Sequence, residues 1–227
     1  MSLVYFQNVS KKYGNSLILD NITFELAGGE FVSVVGKSGV GKTTLLKMLV
    51  KAETPTKGRI FFHDKDIAKF NPRDTSLLRR KIGMVFQDFK LLADKTAFEN
   101  VAFAMEVAGY SEREIKRDVP EVLRLVNLDD KMNNFPRQLS AGEKQRVVIA
   151  RVLIQRPELI LADEPTGNLD PINTWEIIRL LDKINQLGTA VILATHDKEV
   201  VNILGKRVIS LESGRIIRDE KEGKYLI

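Results

Sequence analysis

Between Phe31 and Lys51 the chain runs from a short apolar segment through a glycine-rich loop into a helical pattern. Phe31-Val32-Ser33-Val34-Val35 reads as a strand buried on both faces. Gly36-Lys37-Ser38-Gly39-Val40-Gly41-Lys42-Thr43 then fits G-x-x-x-x-G-K-[ST], and Thr43 to Lys51 reads as a helix. Strand, loop and helix in that order commit the chain to an α/β fold that binds a nucleoside triphosphate. Glycines let successive backbone N–H groups turn toward phosphate oxygens, and the helix adds its positive dipole end. In this pattern Lys42 bridges the β- and γ-phosphates and the Thr43 hydroxyl ligates Mg²⁺, with Thr44 following in the same first turn.

The rest of the chain agrees with an α/β class. Strands are expected at Val4–Asn8, Ser16–Leu26, Gly58–Phe62, Ile82–Phe86, Leu159–Asp163 and Ala190–Thr195. A last hairpin is expected over residues 207–217, turning at Ser213-Gly214. Helical patterns cover 74–80, Thr96–Ala108, Ser111–Val126 and Ile172–Gln186. The strand signal lapses between 88 and 137, which reads as a helical subdomain set into a core made of 1–87 and 138–227. Alternating strands and helices argue for a mostly parallel sheet covered on both faces.

Composition narrows the partners. The 227 residues are 44% hydrophobic and contain no cysteine, so disulfides and thiolate metal sites are excluded. The first residues lack the pattern of a signal peptide, and no apolar run is long enough to span a bilayer. Net charge is +5, yet residues 37–81 alone hold twelve Lys or Arg against four acids. Such a stretch reads as a solvated face plus the nucleotide site, or as attraction to anionic lipid near a membrane partner. Aromatics do not interleave with these charges, so no nucleic-acid partner is expected.

Several residues outside the loop carry chemistry. Asp163-Glu164 end an apolar strand, where the first carboxylate can hold Mg²⁺ and the second can act on a water as general base. His196 ends the next strand, where a γ-phosphate contact is expected. Gln87 ends another, within reach of Mg²⁺ or the attacking water. Tyr13 offers a ring on which a base can stack. His63 reads as surface and Trp175 as a packing residue. Ser140-Ala141-Gly142-Glu143 fits a helix capping box, and a helix start presenting Ser140, Gly142 and free N–H groups is also an anion site.

Taken in order, Tyr13, Gly36 to Thr43, Gln87, Leu139 to Glu143, Leu159 to Glu164, Asn168-Leu169-Asp170 and His196 resemble an ATP-binding cassette (ABC) ATPase along nearly the whole chain. The Thr166-Gly167-Asn168-Leu169-Asp170 variant is similar to the subgroup of lipoprotein-release, macrolide-export and cell-division ATPases, and Val85–Leu92, Glu99–Phe103 and Val119–Leu123 look most like the cell-division members. The resemblance implies a parallel core with an antiparallel β subdomain and a helical subdomain. It implies an ATP-dependent homodimer paired head to tail. Each ATP, with Mg²⁺, then lies between one copy's loop and the other's Ser140, Gly142 and Glu143, with Asp170 at the same seam. It further implies a polytopic membrane partner, seated in a groove near Gln87 to Val101, and a peripheral place on the cytoplasmic face of the membrane. One departure is Ala141, where the commonest signature has a first glycine; binding is expected to survive the added methyl.

Overall fold

The computed structural model describes residues 2–225. In chain order the elements are β1 (Ser2–Tyr13), β2 (Ser16–Ala27), β3 (Phe31–Val35), α1 (Lys42–Leu49), β4 (Lys57–Phe62), β5 (Lys65–Asp66), α2 (Pro72–Lys81) and β6 (Ile82–Phe86). There follow α3 (Ala97–Ala108), α4 (Glu112–Leu125), α5 (Ala141–Leu153), β7 (Leu159–Asp163), α6 (Pro171–Gln186), β8 (Ala190–Thr195), α7 (Lys198–Leu204), β9 (Arg207–Glu212) and β10 (Arg215–Glu220). No described helix is long and apolar enough to cross a membrane.

Two sheets organise these elements. Six strands in the order β10-β9-β3-β8-β7-β6 form a sheet that is parallel from β9 to β6, with β10 antiparallel at one edge. The other four, β2-β1-β4-β5, form an antiparallel sheet. Strands β3, β7 and β8 are buried at every residue, as expected when both faces of a parallel sheet are covered.

The period of two along each central strand then sorts side chains between two cores. Val32, Val34, Leu159, Leu161 and Ile192 face one side, packing with α1 residues Leu45, Leu46 and Leu49 and with Phe6, Ile22 and Phe62 of the antiparallel sheet. Phe31, Ile160, Ala162, Val191 and Leu193 face the other, packing with α3, α4, α5 and α6. The helices of residues 97–125 therefore share their apolar core with the sheet rather than forming one of their own.

Two elements depart from expectation. β1 is longer than Val4–Asn8, because Asn8 takes a left-handed conformation (φ 50°) at a register shift and the strand resumes beyond it to Tyr13. The bulge breaks the alternation that the sequence pattern depends on. α7 has no counterpart in the sequence reading; it is seven residues long, capped by Asp197, and closed by Gly205.

Candidate functional site

The glycine loop, Gln87, Asp163-Glu164 and His196 all lie at the C-terminal ends of parallel strands β3, β6, β7 and β8, where α/β folds bind ligands. β3 ends at Val35 and feeds the glycine loop. Gly41 stands just before α1 at φ 109°, a conformation closed to a residue with Cβ, and no side chain caps the helix it precedes. The first amides of α1 are thus left for an anion.

Lys42 is 6% exposed and is held inward. Its ammonium donates to the Gly36 carbonyl at 2.8 Å and the Lys37 carbonyl at 3.4 Å, and lies 3.4 Å from Glu164 Oε1. The Thr43 hydroxyl donates to Asp163 Oδ1 at 3.0 Å. Burial pushes the Asp163 carboxyl up from its ordinary value, with the Glu164 charge adding to it and the Thr43 hydrogen bond opposing it.

The β7–β8 register, which pairs Asp163 with Ala194, brings Glu164 beside His196. Glu164 turns into a left-handed conformation (φ 48°) and donates its N–H to the Ala194 carbonyl at 2.9 Å. Its Oε1 then lies 2.9 Å from His196 Nδ1, so Lys42 and His196 share one carboxylate. Gln87 faces them across a cleft of about 340 Å³ lined by Gln87, Glu164, Gly167, Thr195 and His196. The Gln87 amide donates to Asn168 Oδ1 at 3.4 Å, and Asn168 donates back to the Gln87 carbonyl at 3.3 Å. Gln87 is therefore read against the 166–168 turn, and no hydrogen bond among the described residues takes it to Thr43 or Asp163.

The Tyr13 ring lies under the Lys11 ammonium, 4.7 Å from its centre. Burial, then the neighbouring Glu53, pushes the Tyr13 hydroxyl's pKa up.

Ser140 and Glu143 form the expected capping box on α5: Glu143 N–H donates to Ser140 Oγ at 3.2 Å, and Ser140 N–H to Glu143 Oε2 at 2.7 Å. Those bonds hold the Glu143 carboxyl below the usual range. A Cβ on Gly142 would stand 1.9 Å from Asn173 Oδ1, so the glycine lets α5 meet the start of α6. Asp170 is the N-cap of α6, accepting from Asn173 N–H at 3.0 Å and from the Asn173 amide. Among the described residues no hydrogen bond or ion pair joins residues 139–143 to 36–44.

His63 is partly exposed and paired with Glu158, and Trp175 packs at the edge of the helical core. Sequence reading missed Asn173, and also Gln145, which is fully buried and donates to the Phe86 carbonyl at 3.3 Å, tying α5 to the strand before Gln87. It also missed Lys11 and Glu53 around Tyr13. None of these stands in a motif; only folding gives them their neighbours.

The oxygen donors suit a hard cation. The Thr43 hydroxyl and Asp163 carboxylate adjoin, and such oxygens are the donors a cation like Mg²⁺ takes from a protein.

The family model described as "ABC transporter" matches residues 19–167. The chain is 51% identical over 224 residues to the cell division ATP-binding protein FtsE of Bacillus subtilis, covering 98% of each chain. It is 43% identical over 215 residues to FtsE of Escherichia coli, covering 94% of this chain and 97% of that one. Among solved structures, cbiO1 from Clostridium perfringens, part of the cbiONQ ABC transporter complex, superposes with a TM-score of 0.90 at 31% identity, over 97% of this chain and 89% of that one. An ATP-binding cassette described as a dimeric post-hydrolysis state bound to ADP and Pi superposes with a TM-score of 0.86 at 37% identity, over 98% of this chain and all of that one.

Proposed function

This chain belongs to the ABC transporter family as an ATP-binding cassette, and from that premise we propose that it is the Mg-ATP-hydrolysing subunit of a membrane-associated cell-division complex of the FtsE type. It is an ABC-type ATPase, converting ATP and water to ADP and phosphate. The observation that carries the cell-division reading is the 51% identity to an FtsE across 98% of both chains.

The glycine loop from Gly36 to Gly41, with Lys37, Ser38, Gly39 and Val40 between, cradles the phosphates, and Tyr13 takes the base. Lys42 releases the loop carbonyls and Glu164 when a γ-phosphate offers its ammonium a better acceptor. Thr43, Asp163 and Gln87 would hold Mg²⁺, and that ion would supply positive charge to the phosphates. Glu164, freed of Lys42, accepts a proton from the attacking water, while His196 and Gln87 orient the γ-phosphate and that water. Support for these roles comes from the Glu164 carboxylate, which already bridges Lys42 and His196. Ser140, Gly142, Glu143 and Asp170 act on the ATP of a second copy, so ATP joins two chains head to tail and hydrolysis parts them.

The division between a core (1–87 and 138–227) and a helical subdomain (88–137) lets this motion reach a partner. The groove near Gln87 to Val101 receives a cytoplasmic helix, and beside it a cleft of about 750 Å³, lined by none of those residues, adds the exposed Phe103 and Val107 with Arg79 at its rim. We assign that helix to a polytopic membrane protein of FtsX type. The ATPase then sits at the cytoplasmic face of the membrane and passes its cycle to the control of cell-wall hydrolysis.

The test is co-expression with an FtsX-type protein and, separately, with a lipoprotein-release or macrolide-type exporter subunit. A Glu164→Gln chain in ATP is expected to co-purify with the first. Selective capture by the exporter would keep the ATPase and overturn the division role.

A further inference from the structure

Lys11, on β1, is only 8% exposed. Its ammonium donates to the Thr54 carbonyl at 2.9 Å, lies 2.7 Å from Glu53 Oε2, and stands 4.7 Å from the centre of the Tyr13 ring. An ammonium has three donors and no acceptor, and each direction here meets a partner. Such a set fixes the side chain that carries it.

Glu53 is the hub of the same cluster. Its Oε2 pairs with the Lys11 ammonium, and Lys11 with the neighbouring Tyr13 holds its carboxyl below the usual range. Its own N–H donates to the Lys47 carbonyl in the last turn of α1 at 3.3 Å, beside Ala52 N–H at 3.0 Å. The segment after α1 is tied back to β1 by Thr56 N–H to the Ser10 carbonyl at 2.8 Å and Lys12 N–H to Thr56 Oγ1 at 3.0 Å. Through the Lys11 ammonium over its face and the Glu53 carboxylate that holds this ammonium, the Tyr13 ring is tied to the last turn of the helix whose start carries Lys42 and Thr43. A ring that is 43% exposed would otherwise be free to swing. The ammonium lies over one face of it.

We propose that Lys11 and Glu53 are positioning residues for nucleotide recognition, setting the distance and tilt of the Tyr13 ring from the phosphate loop. The proposal rests on Tyr13 as the platform for the base. Lys11 and Glu53 themselves touch no nucleotide; they act through Tyr13. Their contribution must then appear only with ligands that possess a base.

The experiment compares equilibrium binding of ATP with that of inorganic tripolyphosphate, which has the phosphates and no base, on the full chain. Glu53→Gln keeps the size of the side chain and removes its charge. It is expected to weaken ATP binding about tenfold, as loss of one ordered stacking contact would, and to leave tripolyphosphate binding within about twofold. Intact tripolyphosphate binding also reports that the loop is folded. Lys11→Arg, which keeps the ion pair, is expected to retain most of the ATP affinity. Tyr13→Ala should lose about as much as Glu53→Gln, and the double variant should lose no more than Tyr13→Ala alone. Equal losses for ATP and tripolyphosphate, or losses that multiply in the double variant, would overturn the positioning role and leave Tyr13 as the platform. Unchanged ATP binding in Tyr13→Ala would overturn the platform and this proposal with it.

Discussion

Glu164 is the residue on which the resting site turns, because one of its oxygens accepts both Lys42 and His196. Removing its charge while keeping its shape therefore separates binding from chemistry. Glu164→Gln is expected to retain ATP and to slow turnover by about 10²–10⁴-fold, the range for loss of a general base. Phosphate release and nucleotide retention measure the two effects, and fast turnover in the variant would remove Glu164 from that role. Asp163 makes a different prediction. Its native pKa lies above the ordinary 3.8, so the folded chain holds this proton more tightly than the unfolded one. The stability so gained is complete below 3.8 and is lost as pH rises through the raised native value, leaving a buried carboxylate that opposes folding at neutral pH. Asp163→Asn still accepts from Thr43 and carries no charge. Its melting temperature without nucleotide should exceed that of the natural chain at neutral pH by about 2–4 °C per kcal/mol recovered, and the gap should close below about pH 4. A variant that melts lower at neutral pH would contradict the burial argument.

At the scale of elements, the junction of α5 with α6 shows why the signature carries glycine at position 142. A methyl there would meet the Asn173 side chain, whose amide is bonded to the Asp170 cap. Gly142→Ala should cost about 1–3 kcal/mol in stability, and adding Asn173→Ala should recover much of it. Chemical denaturation of the three variants measures this coupling; additive losses would show that the contact is unimportant. The same junction marks where sequence reading reached and where it stopped. Strands β3, β7 and β8 and helix α5 were legible because each pairs a strong hydrophobic period with a local terminator or cap. Gln87, Glu164 and His196 were legible because each ends such a strand. Helix α7 was not, since seven residues carry less than two periods of pattern. Lys11, Glu53, Gln145 and Asn173 were not either, because their partners lie on other elements and arrive only by folding. Asp170, expected at the nucleotide seam, caps α6 within its own chain, and its two carboxylate oxygens keep further lone pairs for a second acceptor role.

At the scale of the whole molecule, no hydrogen bond or ion pair among the described residues joins the phosphate loop to the Ser140 segment, and the proposed complete site draws the two from different copies. A head-to-tail pair with two-fold symmetry forms two such sites, each taking its loop from one chain and its signature from the other. Ser140→Arg places a bulky cation where the signature must close on ATP, and Lys42→Ala removes the loop's hold on phosphate. Each variant alone should lack turnover, while Ser140→Arg should still bind ATP as a single chain. Mixing them regenerates one site in each mixed pair, the intact loop of the Ser140→Arg chain against the intact signature of the Lys42→Ala chain. If the two sites act independently, an equal mixture should recover about a quarter of natural turnover, because half the pairs are mixed and each holds one working site. Light scattering in ATP, with Glu164→Gln added to the Ser140→Arg chain, should show a larger particle in the mixture than in either variant alone. Full turnover by Ser140→Arg without a partner would mean that one chain completes its own site, and the head-to-tail arrangement would fall.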